Sequence, residues 1–198
     1  MIIPLSLLFR SVTLFIFFIW WLYWAVTQKT AEREKPSSKH EGIAYTKRQI
    51  RRFILKIAQV IMLIQVIGIN ILPLPFPQFI VQCLGFIFVL IGTSVAISAR
   101  RTLGNNWANA HEYQVKKKQE LVTSGIYSLI RHPIYSGLCL ALIGGELVAQ
   151  SYLALFGAIL LGLGHWQARQ EETILIKHFG REYTDYMKHT KMFIPYLW

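Results

Sequence analysis

The sequence predicts an all-α, polytopic membrane protein with five transmembrane helices and a polar pocket on one membrane face. Three observations lead there. Of its 198 residues, 54% are hydrophobic and only 16% charged, proportions that belong to membrane proteins rather than soluble domains. Five apolar runs follow one another, three of them close to the roughly 20 residues a helix needs to cross hydrocarbon. The formal net charge of +11 is concentrated in alternate connections between those runs.

The first run, Ser11–Val26, is uncharged, and extending it back to Ile2 adds only Arg10. No small-residue cleavage site follows Trp20-Trp21-Leu22-Tyr23-Trp24, so an uncleaved helix with an interfacial aromatic belt is expected rather than a signal peptide. The second run, Phe53–Leu72, carries one charge, Lys56, near its start. Pro73-Leu74-Pro75-Phe76-Pro77 then ends it, because proline has no N–H to donate and crowds the preceding turn. The third run, Gln78–Ala99, is uncharged over 22 residues.

After a segment of mixed polarity come two shorter runs, Ile134–Ala149, which holds Glu146, and Ser151–Ala168, which holds His165. With only Gln150-Ser151 to turn on, they are expected to form a tight antiparallel hairpin. Its glycines (137, 144, 145, 157, 162 and 164) suit close helix packing or leave room for a lipid chain. In the tail, Ile174, Leu175, Phe179, Tyr183, Tyr186 and Met187 recur at helical spacing, and Gly180 should divide it into two short helices. This amphipathic tail is expected to lie on the membrane surface or to fold back over residues 100–133. Two parts result: residues 1–99, with three transmembrane helices, and residues 100–198, comprising a polar segment, the hairpin 134–168 and the tail 169–198.

Residues 28–52 hold eight Lys/Arg, residues 100–131 hold Arg100, Arg101, Lys116, Lys117, Lys118 and Arg131, and five more follow from Arg169 onward. Pro73–Pro77 and Gln150-Ser151 hold none. The positive-inside rule puts the basic segments and the C-terminus in the cytoplasm and the N-terminus outside, which five spans satisfy. The excess reads as topology and attraction to anionic lipid. No basic patch sits in a nucleic-acid reader motif. Cys83 and Cys139 lie inside apolar runs without CxxC spacing, so neither a disulfide framework nor a metal site is indicated.

Familiar cofactor motifs, GxGxxG, GxxxxGK[ST] and HExxH, are missing. What remains is a polar cluster at the cytoplasmic face: Tyr127, Arg131, His132 and Tyr135 before and at the start of the hairpin, then Arg169, Glu171 and Glu172 after it. A hairpin brings its two ends to one membrane face, so these groups should be neighbours. Such a set suits a zwitterionic ligand with an amino group, a carboxylate, hydroxyls and an aromatic base. Each piece also has a plainer role. Pro133 is a natural first helical residue with His132 as its cap, the acids suit a helix N-terminus, and the tyrosines suit an interface.

The ordered set resembles the signature of the isoprenylcysteine carboxyl methyltransferases and their phospholipid methyltransferase relatives over roughly residues 100–190. It is carried by Leu103-Gly104-Asn105-Asn106-Trp107, Leu121-Val122, Gly125-Ile126-Tyr127, Arg131-His132-Pro133-Ile134-Tyr135-Ser136-Gly137, Glu171-Glu172 and Phe179-Gly180-Arg181-Glu182-Tyr183. The resemblance implies a membrane methyltransferase using S-adenosylmethionine, bound in a cytoplasmic pocket formed by the 100–133 segment, the hairpin and the tail. Cofactor contacts would come from Gln119, Glu120, Leu121, Val122, Tyr127, His132, Pro133, Ile134, Tyr135 and Glu171.

Two positions depart from that pattern. Gln119 stands where the family usually has a histidine, and Gln167 where isoprenylcysteine enzymes usually have a substrate-gripping arginine, for which Arg169 is the expected substitute. The acceptor would be a lipophilic carboxylate of the prenylcysteine kind, met by Arg131, His165, Gln167 and Arg169. Arg169, Glu171 and Glu172 would position the reactants, with no covalent or acid–base residue. A phospholipid amine acceptor is the first alternative, with His165, Glu171 or Glu172 as base. Other readings are an NADPH-dependent membrane sterol or lipid reductase, with Lys116-Lys117-Lys118 taking the 2'-phosphate, and a scaffold without activity.

Overall fold

The computed structural model describes residues 5–32, 42–75, 79–106 and 120–197. Among them are six α-helices, short 3-10 turns and two isolated bridges, with no strand. The helices are α1 (Leu5–Glu32), α2 (Gly42–Ile67), α3 (Phe79–Leu103), α4 (Pro133–Val148), α5 (Gly157–Phe179) and α6 (Arg181–His189). Among the described residues, two segments are long and apolar enough to cross a membrane, Leu5–Thr27 and Phe79–Leu103; Phe53–Ile67 and Pro133–Val148 are apolar but shorter.

The helical class and the helix start at Pro133 match the sequence reading, and three boundaries differ. First, α2 begins at Gly42, well before the apolar run, because helix extends into its basic flank. Second, the connection between α4 and α5 is longer than the expected two residues. Gln150 takes a positive φ of 59°, and a 3-10 turn at Tyr152–Phe156 delays α5 to Gly157. Backbone pairing holds this stretch out of the helix: Leu74 N–H donates to the Gln150 carbonyl (2.8 Å) and Tyr152 N–H to that of Leu72 (2.9 Å). Third, no break separates the apolar run from the tail at Arg169. α5 continues to Phe179, since nothing before Gly180 (φ 58°) interrupts it. The acidic pair is therefore mid-helix rather than at a helix start.

The chain divides into two compact units, residues 1–89 with 142–154 and residues 90–141 with 155–198, so that α3 and α4 contribute to both. In the first unit, Gly85 and Gly144 let α3 and α4 touch through backbone. A Cβ added to Gly144 would stand 2.6 Å from the Gly85 carbonyl oxygen. A buried polar network closes the end of α4. Gln65 Nε2 donates to Glu146 Oε2 (2.6 Å), and Gln65 Oε1 accepts the Ile71 N–H (3.1 Å). Arg10 donates to the carbonyls of Gln65 and Ala149 (3.3 and 3.1 Å), and Gln82 to that of Val148 (3.0 Å). These bonds satisfy carbonyls at helix ends, which otherwise lose their partners.

The second unit repeats the glycine contact. A Cβ on Gly92 would meet the Gly137 carbonyl oxygen and the Ala141 nitrogen at 2.6 Å. By contrast, a Cβ on Gly162 or Gly164 of α5 meets nothing within 4 Å. The tail folds back as one of the two expected placements required. Tyr183 is buried, and Tyr186 donates its hydroxyl to the Tyr127 carbonyl (2.6 Å).

Candidate functional site

Residues 131–132 link the 3-10 turn at Gly125–Ser128 to α4, and their backbone is paired rather than loose. A parallel bridge joins Ile130 to Lys191, the segment after α6. Lys191 N–H donates to the Leu129 carbonyl (3.2 Å), Arg131 N–H to that of Lys191 (2.8 Å), and His132 N–H to that of Met192 (3.0 Å). Pro133 then opens α4 at the position where a missing N–H costs nothing. The acids approach from α5, with Glu172 buried and Glu171 a third exposed.

Arg131, His132, Glu171 and Glu172 meet, as the expected hairpin requires. Arg131 Nε donates to Glu172 Oε1 at 2.6 Å, while Nη1 donates to the carbonyls of Thr190 and Met187 near the end of α6. His132 Nε2 stands 3.4 Å from Glu172 Oε1, and Nδ1 stands 3.8 Å from Glu171 Oε2. The imidazole lies parallel to the Tyr135 ring (8°, 5.5 Å between centroids), and Tyr135 donates its hydroxyl to Glu171 Oε2 at 3.0 Å.

Burial alone would push the Glu172 carboxyl up, but hydrogen bonds and charges from His132 and Arg131 together outweigh it and hold it below its ordinary value. For the Tyr127 and Tyr183 phenols burial is also the largest influence. Nearby acids add to it, so both stay protonated well above the usual range. Two atoms keep binding capacity: Glu172 Oε2 is buried without a hydrogen-bond partner, and His132 Nε2 has only the long 3.4 Å approach of Glu172 Oε1. An unsatisfied buried polar atom costs about 1–3 kcal/mol, so an unpartnered carboxylate oxygen and a loosely held imidazole nitrogen beside the one-third-exposed Glu171 mark a place that suits a ligand.

The remaining expected residues are distributed as follows. Glu120 is exposed, its N–H donating to Asn106 Oδ1 (3.1 Å), and Leu121 and Val122 are half-buried beside it. Pro133 is buried and Ile134 half-buried in the first turn of α4. On α5, His165 is half-buried, Gln167 buried and Arg169 exposed. Two helical residues turn about 200° between Gln167 and Arg169, which explains their opposite burial. Gln119, and Lys116–Lys118 with it, lie outside the described residues.

Sequence reasoning did not single out Thr190, Met192 and Phe193, yet all three touch the Arg131-His132 turn. Phe193 is buried, its ring 5.9 Å from that of His132 and 6.2 Å from that of His165. The available signal was the Met192-Phe193-Ile194 apolar triplet following a charged helix.

Comparison with known proteins agrees with this picture. The protein-S-isoprenylcysteine O-methyltransferase of Xenopus laevis is 33% identical over 116 residues, covering 58% of this chain and 40% of that protein. The probable enzyme of that name from Oryza sativa subsp. indica is 28% identical over 119 residues, covering 59% of this chain and 62% of that one. This chain thus matches about two fifths to three fifths of the length of these relatives. The solved structure of a eukaryotic intramembrane Ras methyltransferase, an isoprenylcysteine carboxyl methyltransferase, shares the fold. The TM-score is 0.67 at 17% identity, covering all of this chain and 70% of that one. Residues 80–182, just over half of the chain and including the His132 turn and both acids, match the phospholipid methyltransferase family, to which the chain therefore belongs.

Proposed function

We propose that the chain is an integral membrane S-adenosylmethionine-dependent O-methyltransferase that esterifies the carboxylate of a prenylcysteine-like acceptor. The observation that carries this reading is the meeting of His132 with Glu171 and Glu172, together with the unpartnered Glu172 Oε2 and the loosely held His132 Nε2 buried there. Those atoms fit S-adenosylmethionine. A carboxylate kept ionised suits its ammonium and ribose hydroxyls, an imidazole flanked by an aromatic ring suits its polar edges, and the acids suit its sulfonium. When bound, it supplies a methyl group activated on positively charged sulfur.

The protein's own residues hold and orient. Glu172 stays ionised because Arg131 and His132 stabilise its charge, and Tyr127 stays protonated. Arg131 donates from Nε to Glu172 and from Nη1 to carbonyls of the tail, so in this reading it acts chiefly through Glu172 rather than by gripping the acceptor. Gln119, Glu120, Leu121, Val122, Pro133, Ile134 and Tyr135 complete the cofactor set. Buried Gln167, with His165, meets the acceptor, and exposed Arg169 faces away from Gln167. A carboxylate acceptor is already ionised at neutral pH and needs no base. Catalysis then rests on positioning, an effect that supplies roughly 7–11 kcal/mol in well-oriented reactions. Five spans, with basic segments, cofactor site and C-terminus in the cytoplasm and the N-terminus outside, would let the cofactor arrive from water and the acceptor from the bilayer.

The names of the curated relatives favour a prenylcysteine carboxylate; the description of the family favours a phospholipid amine. One experiment separates them. The full chain in lipid nanodiscs is given methyl-labelled S-adenosylmethionine with either a prenylcysteine or phosphatidylethanolamine. Base-labile label on the prenylcysteine alone is expected. Base-stable label on the phospholipid would transfer the reading to an N-methyltransferase. No label on either, with no calorimetric binding of S-adenosylhomocysteine, would overturn it.

A further inference from the structure

Residues 190–193 run alongside the His132 turn as a strap, and we infer that Phe193 is a positioning residue that orients the His132 imidazole toward the cofactor. The inference rests on the cofactor reading above. His132 is fixed twice by this strap: its backbone N–H donates to the Met192 carbonyl (3.0 Å), and its ring lies 5.9 Å from that of Phe193 at 47°. Phe193 is in turn fixed twice. Its side chain packs with Ala168 and Met192, against which Tyr135 also lies, and its carbonyl accepts the Ser136 hydroxyl at 2.8 Å.

The imidazole is thus bounded by Tyr135 stacked parallel, by Phe193 tilted, and by the two carboxylates. Glu172 at 3.4 Å and Glu171 at 3.8 Å hold its edge loosely, so the rings decide where Nε2 points. A displacement of about 1 Å at such a group is enough to cost one to two orders of magnitude in a reaction or binding step. The same Phe193 ring also stands 6.2 Å from that of His165, separating the imidazole expected to meet the cofactor from the one expected to meet the acceptor. Removing it should therefore act on the cofactor side through His132, without removing any group that touches the reactants.

The test uses the full chain in lipid nanodiscs, measuring S-adenosylhomocysteine binding by calorimetry, KM and kcat for S-adenosylmethionine, and thermal stability. Phe193→Ala should weaken binding and raise KM about tenfold with kcat little changed, and Phe193→Leu, which restores most of the packing, should recover only part of it. Ser136→Ala, which frees the Phe193 carbonyl together with a longer contact to the His132 carbonyl and leaves the core intact, should weaken binding about threefold and serves as the test if Phe193→Ala does not fold. Unchanged affinity in a folded Phe193→Ala protein, or in Ser136→Ala where that variant carries the test, would overturn the inference, as would full recovery in Phe193→Leu, since packing alone would then explain the site. Failure of the unaltered chain to bind S-adenosylhomocysteine would instead reject the cofactor reading, and this inference with it.

Discussion

Each unit of the molecule buries a cluster of polar groups beside α4, and the two are finished differently. At the C-terminal end of that helix, Gln65 spends both ends of its amide on Glu146 and on the Ile71 N–H, while Arg10 and Gln82 close helix-end carbonyls. The atom left over there, Asn70 Oδ1, belongs to a neutral side chain whose nitrogen donates to the Ala149 carbonyl. At the N-terminal end, the atoms left over are a carboxylate oxygen and a loosely held histidine nitrogen. The first cluster is a clasp and the second a receptacle. The lesson is that buried polarity marks a site only where ionisable groups keep binding capacity after the fold has taken its share.

Substitutions can break this contrast from either side. The largest effect is expected for Glu172→Ala, which leaves the buried Arg131 guanidinium without its carboxylate. It should cost about 3–5 kcal/mol in denaturant or thermal unfolding and abolish S-adenosylhomocysteine binding. His132→Ala should lower that affinity by about 100-fold, some 2–3 kcal/mol, while destabilising the protein less than Glu172→Ala, because Glu172 keeps its 2.6 Å bond from Arg131 and loses only the 3.4 Å approach of the imidazole. Gln65→Leu should reverse the pattern. It should lose about 1–3 kcal/mol of stability, since Glu146 and the Ile71 N–H both lose a partner, with calorimetric affinity unchanged. Equal loss of binding in Gln65→Leu would erase the distinction between clasp and receptacle.

Acid should reach the receptacle through Glu172. Its folded carboxyl is held below the ordinary 4.5, so its stabilising contribution is present above that value and lost as the pH falls through the folded one. Unfolding measured between about pH 6 and pH 3 should show a steeper acid loss in the unaltered protein than in Glu172→Gln. The smallest effect is expected for Gly162→Ala. A Cβ there meets nothing within 4 Å, so the change should stabilise α5 by up to about 1 kcal/mol, read as a small rise in Tm.

Much of this was legible in the residues. Apolar runs and Pro133 give helices and one start, because burial from water and the missing proline N–H act locally. The approach of His132 to the acids follows from a hairpin alone. Less legible were the contacts made by pairing across long separations. The bridge between Ile130 and Lys191 leaves no periodic trace, so the strap and Phe193 went unseen. The helix end expected near Arg169 failed for a related reason. A change from apolar to charged surface marks where the surroundings change, whereas only a residue such as Gly180 changes the backbone. The opposite burial of Gln167 and Arg169 follows from that continuity.

That uninterrupted helix has a consequence for the proposed reaction. From Gly157 to Phe179, α5 has no joint, so the greasy half that holds Leu160 and Leu161 and the segment that carries Glu171 and Glu172 form a single lever. In the proposed five-span arrangement, lipids of unequal acyl length would impose unequal tilt on such a rod, and the rod would deliver that tilt to its carboxylates. Turnover in short-chain and long-chain vesicles should then differ, making membrane thickness itself an input to the proposed methyl transfer.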